Sequence, residues 1–237
     1  MHKVITSSVL ALACLSPNVN ADALGLFVGG GSWDHDASGT FGTVGDDIIN
    51  VESDLGYKGE SDTYVWAAFE HFVPLVPNIR VEAASLGHSG TTGSNFIFNG
   101  VSVSGDSAIN LDTTDAILYY RILDNWVNFD LGITLRKIDG DFAVDVEKIS
   151  VSETIPMIYA SAQFDLPFTG FSVGGDINMI DYDGSTYQDV RLRAVYEIGV
   201  IGFEAGLRTT SIELDDVDNV SANLDFDGLM LGAFLHF

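Results

Sequence analysis

The sequence is short of cysteine, of cations and of long apolar runs, and each shortage excludes something. Its one cysteine, Cys14, lies in the first fifteen residues; if that stretch is a leader, the remaining chain forms no disulfide. Ten Lys and Arg stand against 34 Asp and Glu, a net charge of −24, which argues against a nucleic-acid partner. Beyond the N-terminal stretch no segment approaches the roughly 20 consecutive apolar residues that a spanning helix needs. A phosphate-cradling glycine loop, Cys/His pairs at zinc spacing and a haem-attachment motif are all missing, so no cofactor and no metal is implied. Proline is scarce, with five in 237 residues, and Pro74, Pro77 and Pro167 fall in three-to-five-residue breaks that read as tight turns.

What is present first is an address. Lys3 and the terminal amine precede the mostly apolar run Val4 to Leu15, and Val19-Asn-Ala21 supplies small residues for cleavage, with Ala23 as the second choice. Residues 1–21 are expected to be a signal peptide and 22–237 the mature domain.

The mature chain reads as strands almost throughout. From Trp126 to Arg136, Val127, Phe129, Leu131, Ile133 and Leu135 alternate with Asn128, Asp130, Gly132, Thr134 and Arg136. Period-2 alternation puts each set on its own face of a strand. The last ten residues do the same, with Leu229, Leu231, Ala233, Leu235 and Phe237 on one face. Ten such segments are expected, each of about 10 to 14 residues, against roughly 9–11 for a tilted strand crossing a bilayer. Short turns near 74–78, 123–125, 166–169 and 197–199 alternate with longer polar connectors, expected at 34–61, 89–108, 139–150 and 213–223. That asymmetry is expected of an all-β, ten-stranded antiparallel up-and-down transmembrane barrel, with eight strands as the alternative count. Aromatic residues near strand ends (Phe72, Tyr119, Tyr120, Trp126, Phe168, Tyr182, Tyr187, Tyr196, Phe237) are expected to form interfacial girdles.

The charges choose between a soluble and a membrane barrel. All six arginines (Arg80, Arg121, Arg136, Arg191, Arg193 and Arg208) fall within strands, opposite the apolar row. The same face carries Glu70, Glu82, Asp115, Asp130, Asp176, Asp189 and Glu204. Six cations near seven anions predict a narrow lumen filled by paired charges, since an unpaired buried charge is costly and arginine matches carboxylate bidentately. The interleaved acids argue against an anion-selective constriction. The remaining negative charge is assigned to the outer connectors.

Candidates for chemistry are weak. His35 lies among Asp34, Asp36 and Ser32, and His88 beside Ser89; both are expected at the outer rim, where they recruit too little around them for a hydrolytic site. Acids at Asp139, Asp141, Asp145 and Glu147, or at Glu213, Asp215, Asp216 and Asp218, lack calcium-loop spacing and read as a solvated rim. No catalytic residue is assigned and the chain is not expected to be an enzyme.

Four segments carry a resemblance: Leu24-Gly-Leu-Phe-Val-Gly-Gly30, Phe69-Glu-His-Phe-Val-Pro-Leu-Val-Pro-Asn-Ile-Arg80, Leu118-Tyr-Tyr-Arg-Ile-Leu-Asp-Asn-Trp-Val127 and Gln163-Phe-Asp-Leu-Pro-Phe-Thr169. They resemble a small family of gammaproteobacterial outer-membrane β-barrel proteins named for location and fold. The resemblance implies the fold and the outer-membrane compartment and adds no catalytic residue. The terminal apolar ladder ending in Phe237 resembles the signal read by barrel-assembly machinery. The expected role is therefore structural or surface-interacting, carried by acidic outer loops, in a monomer in contact with outer-membrane lipid and lipopolysaccharide. A narrow passive channel is the alternative, and a lipid-modifying or proteolytic enzyme comes third.

Overall fold

The computed structural model describes residues 24–43, 45–98, 100–217 and 220–237. The expected signal peptide and its cleavage site lie outside the described residues. Thirteen strands run in order: β1 (Leu24–Thr43), β2 (Ile49–Asn50), β3 (Glu60–His71), β4 (Asn78–Thr91), β5 (Phe96–Phe98), β6 (Val101–Val103), β7 (Asp106–Asp124), β8 (Val127–Val144), β9 (Glu147–Leu166), β10 (Phe171–Tyr182), β11 (Ser185–Ile198), β12 (Ile201–Val217) and β13 (Val220–His236). Ten of them, all but β2, β5 and β6, form the antiparallel barrel wall of sequential neighbours, and β2 adds a two-residue pairing to β1. It closes by pairing β13 with β1 along seventeen residues, from Phe27 opposite His236 to Thr43 opposite Val220. Closure leaves no edge, which in lipid would expose unpaired backbone groups. The count is ten, not eight.

The strands are longer than expected, 12 to 20 residues. Two segments read as loops, 139–150 and 213–223, are therefore largely strand, and 34–61 is half strand. β8 and β9 continue through 139–150 and meet at a two-residue turn, where Asp145 adopts φ 54°. β1 runs on to Thr43, and β12 and β13 continue through most of 213–223. The sequence reading stopped at the polar residues because it tied strand to apolar alternation. A barrel wall standing above the bilayer has water outside, so its outward row turns polar while its ladder continues. β12 shows the change, reading Ile201, Phe203, Ala205 and Leu207 and then Thr209, Ser211 and Glu213. On β13 Leu229 to Phe237 gives way to Asp227 and Asp225. There the wall is tied by hydroxyl–carboxylate bonds, Thr209 to Asp227 (2.6 Å) and Ser150 to Asp141 (2.7 Å).

Four short connectors gather at one rim with both ends of the described chain; the other rim carries the two long connectors, β1 to β3 and β4 to β7, beside two-residue turns at 145–146 and 183–184. At the first, the turn rim, Leu75 and Phe168 are fully exposed. Both have φ 69°, a backbone region that favours glycine. The Tyr120 hydroxyl donates to the Leu75 carbonyl (3.0 Å), drawing that turn toward the apolar outer face. At the second, the loop rim, residues 45–59 fold inward instead of lying in solvent. Ile49, Val51, Leu55 and Tyr57 are buried there with Phe41, Phe98, Val103, Val144 and Phe226. The β5–β6 hairpin supplies Phe98 and Val103 to the same cluster. This apolar plug was read as two polar loops, although Ile48-Ile-Asn-Val51 and Phe96-Ile-Phe98 stood out within them.

Candidate functional site

Strand alternation delivers the polar row of the barrel strands to the lumen, whose middle is filled by charged side chains. All thirteen predicted charges are in the lumen. Arg136 on β8 donates to both oxygens of Asp115 (2.7 and 2.6 Å) and to Asp189 (2.8 Å). Arg208 on β12 grips the same Asp189 (3.0 and 2.6 Å) and approaches Glu82 at 3.7 Å. Glu82 receives Arg80 (2.9 Å) and both oxygens take Arg191 (2.7 Å). Arg191 continues to Asp176 (2.8 Å), and Arg193 stands 3.7 Å from Asp176 and 3.7 Å from Glu204. A single chain of ion pairs thus runs from Asp115 to Glu204. Arg121 forms a separate island with Glu70 (2.6 Å) and Asp130 (3.2 Å) nearer the turn rim.

Aromatic groups complete the network. Tyr64 and Trp66 both donate to Glu204 (2.9 and 3.3 Å), and Tyr119 to Glu70 (2.8 Å). Guanidinium groups lie over rings at Arg80–Trp66 (4.1 Å), Arg208–Trp33 (4.7 Å) and Arg136–Tyr187 (5.1 Å). Tyr119 and Tyr187 therefore serve the lumen, a correction to their expected place in a girdle; their in-strand parity with Arg121 and Asp189 carried that signal. Inward glycines make the space: a side chain at Gly232 would collide with the Tyr64 hydroxyl and the Glu204 carboxylate.

The histidines are not at an open rim. His35 on β1 and His88 on β4 are buried side by side, beyond the apolar outer band, between the ion chain and the plug. His35 Nδ1 meets His88 Nε2 (2.9 Å), His35 Nε2 meets Asp62 (3.2 Å), and His88 Nδ1 meets the Lys58 carbonyl (2.9 Å). Gly87 N–H also donates to Asp62 (2.6 Å). A carbonyl and a carboxylate, both acceptors, close the two ends, so the three bonds need three protons. Two neutral imidazoles bring two. Burial pulls both rings below the ordinary histidine value and so opposes the third proton, leaving the neutral pair to satisfy two of the three contacts. One consequence is mechanical: His88 ties residues 45–59 to the wall through Lys58. No group of three or more His, Cys, Asp or Glu among the described residues is arranged to hold a metal ion.

At the opposite end a cavity of about 730 Å³ opens through the turn rim. Its floor is the underside of the ion chain, and His236 lies at its mouth against Glu197 (3.2 Å).

A closed ten-stranded antiparallel barrel, with an apolar band outside and a polar, occupied lumen, has the architecture of outer-membrane β-barrels. A solved structure agrees on that fold. The chain is similar to the outer membrane protease OmpT of Escherichia coli, at 12% identity, over 91% of this chain and 96% of that one, with a TM-score of 0.50. The attachment invasion locus protein Ail of Yersinia pestis matches at 14% identity over 91% and 99%, with a TM-score of 0.38. The outer membrane protein AlkL matches at 11% over 94% of each chain, also at 0.38. At 12% identity the likeness to OmpT is one of fold alone. No protein-family model and no curated protein sequence matches the chain.

Proposed function

We propose that this protein is a non-conducting barrel of the Gram-negative outer membrane, with a structural and surface-interaction role. The observation that carries the reading is double occlusion: a continuous ion chain fills the middle of the lumen, and an apolar plug fills its loop end. A water-filled passage needs a polar, unoccupied lumen; here opening one means separating buried ion pairs and also exposing buried Phe98, Leu55 and Val51. The working surface is then the outer wall above the apolar band and the connectors at its top. Lys58, Lys137 and Lys148 are the only cations left for that region once the arginines are in the lumen. Lys137 and Lys148 are paired with Asp139 (2.6 Å) and Asp141 (3.0 Å). Its field is strongly negative and favours basic partners or cation-bridged lipopolysaccharide.

On this reading the turn rim faces the periplasm, His35 and His88 hold the plug and perform no catalysis, and the protein acts as a monomer. The turn segments support a gammaproteobacterial family, and the apolar C-terminal ladder supports delivery by barrel-assembly machinery. The test is planar-bilayer recording of the refolded protein. No steady conductance steps are expected; resolved open steps would overturn the closed-lumen reading and favour a narrow passive channel.

A further inference from the structure

The cavity at the turn rim is not used by the surface role. Its lining is charged throughout, with Arg80, Arg193 and Glu204 toward the floor and Arg121, Glu70 and Asp130 nearer the opening. Arg193 is the one lumen arginine with no hydrogen bond to a described residue: its two carboxylate contacts are both 3.7 Å. Arg80 is 7% exposed; its Nε is buried without a partner, and its one side-chain hydrogen bond to a described residue runs from Nη2 to Glu82 (2.9 Å), which leaves Nη1 uncommitted. The floor thus keeps guanidinium N–H groups uncommitted, and guanidinium matches an oxyanion in geometry as well as charge. Toward the opening carboxylates outnumber cations, since Arg121 is already paired with both Glu70 and Asp130. Asp165 and Glu197 line the mouth, and neither has an arginine partner among the described residues. Asp165 accepts only from the amides of Asn128 (2.8 Å) and Gln163 (3.0 Å), which leaves its charge uncancelled. Glu197 is held by His236.

Gly174 is paired with both Arg193 and Gln163, so Asp165 stands one inward step from the level of Arg193 toward the opening. That step is roughly 7 Å. A plain anion would reach the floor only past uncompensated carboxylates, and a plain cation would end against guanidinium groups. A small molecule with an oxyanion at one end and an ammonium a short spacer away matches both. Trp66, Tyr159 and Phe234 give the cavity aromatic walls, and its volume lies in the range of small-ligand pockets.

We propose that this cavity binds a small zwitterion, oxyanion against Arg193 and Arg80 and ammonium against Asp165, of the phosphoethanolamine type. The chemistry is the same whether the group is free in the periplasm or is the headgroup of a phospholipid in the adjoining leaflet.

The test is calorimetric titration of the refolded mature chain in detergent with O-phosphoethanolamine, inorganic phosphate and ethanolamine. Saturable binding of phosphoethanolamine is expected, with each half-molecule at least about tenfold weaker, the loss of one charged contact. Arg193→Gln is expected to weaken phosphoethanolamine by about tenfold or more, and Arg193→Lys, which keeps the charge and loses the fork, to fall between. Asp165→Asn, at the solvent end where folding is least at stake, should erase the preference over phosphate. Heat-modifiable migration reports that each variant is folded. Absence of saturable binding, equal binding of phosphate and phosphoethanolamine to the unaltered protein, or an unchanged preference in Asp165→Asn would overturn the proposal. Repeating the titration in nanodiscs separates the sources. Competition by phosphatidylethanolamine but not phosphatidylglycerol assigns the site to a lipid headgroup; equal binding in both assigns it to a free solute.

Discussion

Arg136 is where the energetics of the lumen can be measured most directly. Its side chain is 1% exposed and spans Asp115 and Asp189. Replacing it with alanine has unequal consequences for the two. Asp189 keeps the two-bond grip of Arg208. Asp115 has no other ion-pair partner among the described residues, and its side chain is 4% exposed. Arg136→Ala therefore strands one buried carboxylate, a change that costs about 3–5 kcal/mol. Removing both charges is different, because a pair replaced by groups of similar volume loses its Coulomb attraction and its desolvation cost together. Arg136→Met with Asp115→Leu should recover most of the loss, to within about 1–2 kcal/mol of the starting protein, by the same balance. The assay is equilibrium urea unfolding in lipid vesicles, followed by tryptophan emission, at neutral and acidic pH. Acid should narrow the deficit of Arg136→Ala, since protonation discharges the stranded carboxylate. A deficit below about 1 kcal/mol, the value of an exposed pair, would refute the view that the ion chain is a dry structural core. A double variant as unstable as the single one would refute the assignment of the loss to Asp115.

Three further outcomes follow from the plug and the seam. Leu55 is fully buried, so Leu55→Ala should destabilise the plug by about 2–5 kcal/mol; faster tryptic cleavage after Lys58, with unchanged heat-modifiable migration, is expected, and unchanged protection would count against an apolar plug. Asp46 joins residues 45–59 to the β5–β6 hairpin, and the Thr43 hydroxyl and the Gly100 N–H hold its carboxyl below its ordinary value of 3.8. A carboxyl lowered by folding contributes stability above its unfolded value and loses it as pH falls through the folded one. Hydrogen exchange at the Gly100 amide, corrected for intrinsic rate, should therefore accelerate below about pH 4, and Asp46→Asn should show the acid behaviour already at neutral pH. Phe237 closes the barrel seam through two backbone bonds with Leu26 (2.9 and 3.1 Å). Deletion removes both the bonds and the ring, whereas Phe237→Ala keeps the bonds; if the ring is the assembly signal, both variants should fail to reach the outer membrane, and normal heat-modifiable barrel from Phe237→Ala would refute that role.

Alternation together with the placement of the charges determined the barrel and the ionic part of its lumen. Every arginine shares strand parity with a carboxylate and opposes an apolar row, and a sheet whose apolar face meets lipid must turn those charges inward. That argument needs only the two-residue period of a strand and the positions of the charges along it. It placed Arg136 and Asp115 inside without saying that they meet. Pairing was decided by register and closure: Glu82 and Arg191 are 109 residues apart, and nothing local links them. The height of the wall was also misread from sequence. Asp139 and Asp141 are polar for the same reason that loop residues are, contact with water, although they lie in a continuous ladder. The plug and the His35–His88 pair were the least legible. Ile49, Leu55 and Phe98 follow no period, because an irregular segment inside a barrel mouth is packed by its surroundings and not by its own repeat. His35 and His88 looked like rim residues until folding brought residues 53 positions apart to 2.9 Å. Periodicity, a property of the backbone, determined which face each side chain takes; only closure of the sheet decided which side chains share that face at the same height.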